Sequence, residues 1–147
     1  KNLEVDVEDD VLTIKGSKEM KLKPPSVIGV TILTSFTYEE FQSQFNETIS
    51  IKECVNNLAN IAFKAGLDGC VCSPWEVENL RATYSKDFQL ITPGIRIDGD
   101  YNNDQNRVMK PNEAILRGAS KIVVGRSITK SINPTKTFEE ICKSINL

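Results

Sequence analysis

Short apolar runs alternate with helical segments along this chain, and this alternation restricts its fold more than any other feature. Four runs are nearly continuous in apolar and β-branched residues, as strands buried on both faces of a parallel sheet are: residues 27–33, 69–72, 88–92 and 121–125. An earlier candidate strand covers residues 10–14. Strand–helix–strand units of this kind wind right-handed, so the pattern predicts an α/β fold with a parallel sheet.

The helical segments between these runs begin with recognisable signals. In a capping box, a Ser side chain and a Glu three residues later each accept a hydrogen bond from the other residue's backbone amide. Two segments carry that pattern: Ser50 with Glu53, and Ser73 with Glu76. Two further helices are predicted to begin at Lys110 and at Thr137.

The number of strands limits how the sheet can close. About five strands are predicted, whereas a complete (β/α)₈ barrel has eight. An open doubly wound sheet and part of a barrel are therefore both compatible with the pattern. No linker or low-complexity segment interrupts residues 1–147, which predicts a single domain.

Composition excludes several classes of function. The net charge is -2, and nothing in the sequence suggests the clustered basic excess that a nucleic-acid site needs, so we expect no nucleic-acid partner. No apolar run approaches the roughly 20 residues that span a bilayer, and the acidic start does not resemble a signal peptide, so we expect no membrane partner. The chain has no histidine, which removes a Ser-His or Cys-His nucleophile pair.

The four cysteines carry no clear metal signature. They are Cys54, Cys70, Cys72 and Cys142. Zinc sites usually show wider Cys spacing and a second pair of ligands. We therefore expect buried, reduced thiols in a cytoplasmic protein, with no metal and no cofactor.

Two arginines follow the ends of successive predicted strands. Arg96 comes after the turn formed by Pro93 and Gly94, and Arg126 follows Gly125. A glycine allows close backbone approach, free amides at a helix start favour anions, and a guanidinium matches phosphate oxygens. Phosphate sites of (β/α)₈ barrels form from the loops after strands 7 and 8, so this arrangement predicts a phosphate site. The alternatives are a surface salt bridge for Arg96 and a helix-start contact for Arg126.

Two hydroxyl residues end an earlier strand. Thr34 and Ser35 follow the apolar run at residues 27–33. Such residues commonly cap the next helix. At the ligand end of a barrel strand they could instead hydrogen-bond a base, and the sequence leaves both readings open.

Four motifs together resemble one family. Residues 30–35 are similar to the fifth-strand motif of bacterial orotidine 5'-phosphate decarboxylases, and residues 65–73 to their sixth strand. Residues 92–96, followed by residues 104–111, resemble the seventh strand and its phosphate loop, and residues 123–129 the eighth strand. The resemblance implies a partial (β/α)₈ TIM barrel that contains about strands 4 to 8.

The resemblance also implies a role for individual residues. It places Thr34 on the pyrimidine ring with Ser35 beside it, and Pro93 packed against the ring. Arg96, Arg126 and the Gly125 amide would hold the 5'-phosphate. Gln105 would bridge phosphate and base from a loop that closes over the ligand.

The chain departs from the family in its first part. Residues 1–26 are divergent and shortened, and residues 10–20 resemble a modified fourth strand with the start of its helix. The family's chemistry depends on an Asp-x-Lys-x-x-Asp motif at the third strand, where the Lys protonates the carbanion left by carbon dioxide. That motif is absent from these 147 residues.

The resemblance predicts the decarboxylation of orotidine 5'-monophosphate to uridine 5'-monophosphate, with this chain carrying the binding part and inactive alone. Two alternatives remain: a non-catalytic remnant that binds a nucleotide monophosphate or phosphate, and a sugar-phosphate lyase of the same barrel superfamily. An open half-barrel also exposes two sheet edges. We therefore expect self-association or pairing with a missing amino-terminal half.

Overall fold

A four-stranded parallel sheet, with helices between its strands, organises the chain. The computed structural model describes residues 25–45, 49–97 and 107–145, together with the backbone of residues 3–8 and 11–16. The strands are β1 (Leu3–Glu8), β2 (Val11–Gly16), β3 (Ile28–Val30), β4 (Gly69–Val71), β5 (Gln89–Thr92) and β6 (Lys121–Ile122). The helices are α1 (Tyr38–Phe45), α2 (Ile51–Lys64), α3 (Val77–Thr83), α4 (Pro111–Leu116), α5 (Arg126–Thr129) and α6 (Pro134–Ile145).

The strands of the main sheet lie in chain order, β3-β4-β5-β6, and every pair is parallel. This confirms the predicted α/β class with a parallel sheet. The earliest predicted strand is also present as β2, but it differs from the expectation in its partner. It pairs antiparallel with β1 as a two-stranded hairpin and is not part of the parallel sheet.

Helices cover one face of the sheet. Cys70 of β4 lies in register with Gly29 of β3 and Leu90 of β5, so these three positions share a face. Cys70 and Leu90 are fully buried, and a Cβ added at Gly29 would lie 3.2 Å from the Ala62 Cβ of α2. The core therefore lies between the sheet and its helices.

The other face of the sheet carries apolar side chains with less cover. Val30, Val71 and Ile91 lie in register across β3, β4 and β5. Val30 is 60% exposed, Val71 and Ile91 are half-buried, and Val123, just after β6, is 50% exposed. We call Val30, Val71, Ile91 and Val123 the open face.

Helix starts follow the sequence signals in part. Helix α2 has the predicted capping box between Ser50 and Glu53. Lys110 occupies the cap position of helix α4, which begins at the next residue and so agrees with the predicted start. Helix α3 begins at Val77 rather than within the predicted capping box, and α6 begins at Pro134, three residues before the predicted Thr137.

At the amino-terminal edge of the sheet, Arg81 of α3 joins the segments that lead into β5 and β6. Its guanidinium donates to the carbonyl oxygens of Phe88 at 3.1 Å and Gly118 at 3.0 Å. It also donates to the Ser120 Oγ at 2.9 Å, and this hydroxyl oxygen accepts the Leu90 amide at 3.0 Å. One side chain thus fixes the spacing of two strands where they enter the sheet.

Among the described residues, no helix is long and apolar enough to cross a membrane.

Candidate functional site

The carboxyl ends of the four parallel strands lie side by side at one edge of the sheet. Backbone hydrogen bonds continue past the strands: the Thr31 amide donates to the Val71 carbonyl oxygen at 3.2 Å, and the Val123 amide to the Thr92 carbonyl oxygen at 2.9 Å. The loops that follow β3, β4, β5 and β6 therefore leave the sheet on the same side. We call this the ligand edge, because it carries all the described residues that the sequence predicted for the site.

The loop after β3 places its two hydroxyl residues differently. Thr34 is buried and Ser35 is exposed. Neither caps the following helix, because Thr37 and Glu40 form the capping hydrogen bonds at the start of α1. The capping explanation is therefore wrong for both residues.

The loop after β5 meets the loop after β3 at Gly94. Gly94 has a φ of +79°, and a Cβ added there would lie 3.5 Å from the Thr34 Cγ2. Its neighbour Pro93 is half-buried. Thr34 and Pro93, the two predicted pyrimidine contacts, therefore lie on adjoining loops.

The backbone next to Arg96 is hydrogen-bonded to Met109. The Met109 amide donates to the Gly94 carbonyl oxygen and the Arg96 amide to the Met109 carbonyl oxygen, each at 3.0 Å, which forms a parallel bridge between Ile95 and Met109. The half-buried Arg96 side chain donates from Nη1 to the Ile95 carbonyl oxygen at 2.8 Å. This contact holds the guanidinium close to its own backbone.

After β6, Gly125 occupies the cap position of α5 and Arg126 is the first residue of that helix. A Cβ added at Gly125 would meet nothing within 4 Å, so the space next to this backbone is open. Arg126 is half-buried and Ser127 is buried. Gln105, the remaining predicted site residue, lies outside the described residues.

A buried ion pair at the ligand edge was not predicted from the sequence. Arg107 donates from Nη1 to the Glu76 Oε1 and from Nη2 to the Leu33 carbonyl oxygen, the latter at 3.0 Å. Both charged residues are less than a tenth exposed. Burial raises the pKa of Glu76, and the Arg107 charge opposes that rise.

Two signals in the sequence could have pointed to this pair. Glu76 stands in a predicted capping box, and its place after an apolar strand and Pro74 also suits a buried side chain with a buried partner. Arg107 ends a long polar run directly before the apolar Val108 and Met109, where the chain enters the core. A second hydrogen bond links the same two segments, because the Trp75 indole Nε1 donates to the Val108 carbonyl oxygen at 3.2 Å.

The cysteines at this end of the sheet are buried free thiols. Cys70 and Cys72 are fully buried, and none of the four cysteines forms a disulfide. The hydrogen bond with Cys70, followed by burial, raises the pKa of the Cys72 thiol. Cys72 therefore stays a neutral thiol and is a poor nucleophile.

Comparison with known proteins decides the family. The model of the orotidine 5'-phosphate decarboxylase / HUMPS family matches residues 10–141. The chain belongs to this family. A protein of Prochlorococcus marinus (strain AS9601) named orotidine 5'-phosphate decarboxylase is 53% identical over 134 residues, which cover 91% of this chain and 55% of the relative. The chain thus spans about half the length of the curated orotidine 5'-phosphate decarboxylases that it matches.

Solved structures agree with this membership. The crystal structure of orotidine 5'-phosphate decarboxylase from Lactobacillus acidophilus matches with a TM-score of 0.72 and 34% identity, over 87% of this chain and 52% of that one. An uncharacterized conserved protein from Geobacillus kaustophilus matches with a TM-score of 0.69 and 26% identity, over 88% of this chain and 53% of that one. The four-stranded parallel sheet is therefore part of a TIM barrel, as the sequence predicted.

Proposed function

We propose that this chain is the carboxy-terminal, ligand-binding part of an orotidine 5'-phosphate decarboxylase barrel. It binds the phosphate and the pyrimidine of orotidine 5'-monophosphate or uridine 5'-monophosphate. The observation that carries this proposal is the ligand edge, where the loops with Thr34, Pro93 and Gly125 leave the sheet on the same side. Membership of the family, together with 53% identity to a protein named orotidine 5'-phosphate decarboxylase, supports this choice of ligand.

The phosphate and the base have separate contacts in this proposal. Arg96 and Arg126 hold the phosphate oxygens with their guanidinium groups, and the Gly125 amide donates to the same group. The open space beside Gly125 supports close approach of an anion to the backbone. Thr34, Ser35 and Pro93 contact the pyrimidine, and Gln105 bridges base and phosphate.

Decarboxylation needs a proton donor, and these 147 residues lack the motif that provides it in the family. Loss of carbon dioxide from the substrate leaves a carbanion, which must receive a proton from a positioned acid. The Asp-x-Lys-x-x-Asp motif that performs this step in the family is absent from the 147 residues. We therefore propose that the isolated chain binds ligand without turnover.

The chain is also proposed to associate with another polypeptide in the cytoplasm. Its open face carries exposed Val30 and Val123, and removal of such apolar surface from water is favourable by about 25 cal/mol per Å². The proposed partner is a segment that supplies the remaining strands of the barrel, and a second copy of the chain is the alternative.

Thermal unfolding with and without uridine 5'-monophosphate tests the binding proposal. A ligand that binds only the folded state stabilises it by about 2.7 kcal/mol at 100 times its Kd. We expect the ligand to raise the Tm of the unmodified chain, and Arg96→Ala and Arg126→Ala to remove most of the shift. Arg117→Ala is the matched control, because Arg117 forms an exposed pair with Glu113 on α4.

Each outcome has a distinct meaning. Absence of a Tm shift in the unmodified chain would contradict ligand binding, and an equal shift in all three variants would contradict the assigned arginines. An equal shift with inorganic phosphate would indicate a remnant that recognises phosphate alone. Turnover of orotidine 5'-monophosphate by the pure chain would contradict the proposed lack of activity.

A further inference from the structure

Arg107 connects three loops of the ligand edge. Its Nη2 donates to the carbonyl oxygen of Leu33, which immediately precedes Thr34 in the loop after β3. Its Nη1 donates to Glu76 in the loop after β4. Its own carbonyl oxygen lies 2.7 Å from the position that a Cβ would take at Gly94, in the loop after β5.

The residues that Arg107 contacts are close in sequence to proposed contacts of both the base and the phosphate. Leu33 is one residue from Thr34, and Gly94 is two residues from Arg96. Two residues after Arg107, Met109 forms the bridge with Ile95, which is the residue directly before Arg96. A shift of the guanidinium would therefore change the separation of the two halves of the site.

Stability alone is a weak reason for burying such a pair. The desolvation of two charges commonly equals or exceeds their attraction, and apolar residues of similar volume often replace a buried pair without loss of stability. A planar guanidinium that donates in two fixed directions does, however, impose geometry on the groups that accept from it. Here those groups belong to two different loops.

We propose that the Arg107–Glu76 pair is a positioning device that sets the distance between the base-contacting loop and the phosphate-contacting loop. This inference rests on the proposed function, since it concerns the same ligand. The pair does not touch the ligand. It lets one molecule whose base and phosphate are covalently linked contact both loops at once.

The test compares a ligand that needs both loops with one that needs only the phosphate contacts. Uridine 5'-monophosphate is titrated against inorganic phosphate by heteronuclear NMR, and the ratio of their Kd values measures how well the loops are registered. Variants of the pair are Glu76→Gln, Arg107→Lys and the double change Arg107→Met with Glu76→Leu. The same changes at the exposed Arg117 and Glu113 are the matched control.

We expect the nucleotide to lose at least tenfold in affinity in the double variant, with inorganic phosphate changed less than threefold. Arg107→Lys should lie between the double variant and the unmodified chain, because a Lys cannot donate as a planar fork to both acceptors. The double variant keeps an apolar pair of similar volume, and its NMR spectrum shows whether the chain is folded before the affinities are compared.

A folded double variant that keeps the unmodified ratio within twofold would overturn the positioning role and leave the proposed function intact. Equal losses for both ligands would also overturn it, because they indicate general damage to the site. If the unmodified chain binds neither ligand, the proposed function fails first and this inference fails with it.

Discussion

Gly94 shows how a single residue determines the shape of the ligand edge. Its φ of +79° lies in the left-handed region, and a Cβ there would lie 2.7 Å from the Arg107 carbonyl oxygen. Both conditions disfavour any other residue. Gly66 satisfies only the first condition, because its φ is +76° and its added Cβ meets nothing within 4 Å. Gly125 satisfies neither, with a φ of -107° and open space.

These three glycines predict an ordered series of alanine variants. Gly125→Ala should leave the free energy of unfolding nearly unchanged. Gly66→Ala should lower it by about 1 kcal/mol through backbone conformation. Gly94→Ala should lower it by about 1–3 kcal/mol more, because the methyl group must displace the Arg107 backbone.

Urea unfolding of the three variants measures this order. A Gly94→Ala variant as stable as Gly66→Ala would show that the Arg107 segment moves without cost, and the close contact would then have no structural importance.

At the scale of elements, helix α2 owes its start to a local signal. Ser50 Oγ accepts the Glu53 amide at 3.2 Å, and this hydrogen bond satisfies one of the free amides of the first turn. The helix then buries Val55, Ala59 and Ala62 against the sheet. The cap therefore fixes where the buried face of the helix begins.

Removal of this cap gives a second stability prediction. Ser50→Ala should lower the free energy of unfolding by about 1 kcal/mol. Asn57→Ala, at an exposed position of the same helix, is the control and should not destabilise the chain. Chemical denaturation of both variants makes the comparison, and equal stabilities would show that the cap contributes nothing.

The same four-residue pattern at Ser73 and Glu76 does not start a helix at that point, and the cause is a contact with a residue that is distant in the sequence. At Ser50 both partners of the capping box are local. Glu76 pairs with Arg107, which is 31 positions away, in addition to its hydrogen bonds with Ser73, and α3 begins only at Val77. The strands, most helix starts and the two arginine-bearing loops are local patterns and could be predicted. The buried pair depends on how loops meet in space, which no local pattern records.

The predicted start of helix α6 was also wrong, by three residues. The run from Thr137 suggested the helix start, but the Asn133 Oδ1 accepts the Lys136 amide at 3.0 Å and the helix begins at Pro134. Asparagine before a proline is a sound start signal, because the proline needs no amide partner. The start of α6 therefore has a local signal in the sequence, at Asn133 and Pro134.

At the scale of the whole molecule, the sheet is covered unequally. One face packs against helices, whereas the open face carries Val30 at 60% exposure and Val123 at 50%. The open face, and the position of β3 and β6 as the outer strands of the described sheet, suit association with further strands. The unmodified chain should therefore elute as a species heavier than its 16.4 kDa monomer.

A charge on the open face should weaken this association. We expect Val30→Asp to shift the chain toward the monomer in sedimentation velocity experiments. Leu116→Asp, at a 63% exposed apolar position of α4, is the control and should leave the distribution unchanged. A monomeric unmodified chain, or equal effects of the two variants, would contradict association through the open face.

The Arg81 contacts at the opposite edge of the sheet have an evolutionary consequence. Arg81 joins the entries of β5 and β6 at the end of the strands that lies away from Arg96 and Arg126. Substitutions in the loops of the ligand edge can therefore accumulate while the strand spacing is maintained from the opposite edge. This separation leaves the loops of the ligand edge free to diversify without a change of architecture.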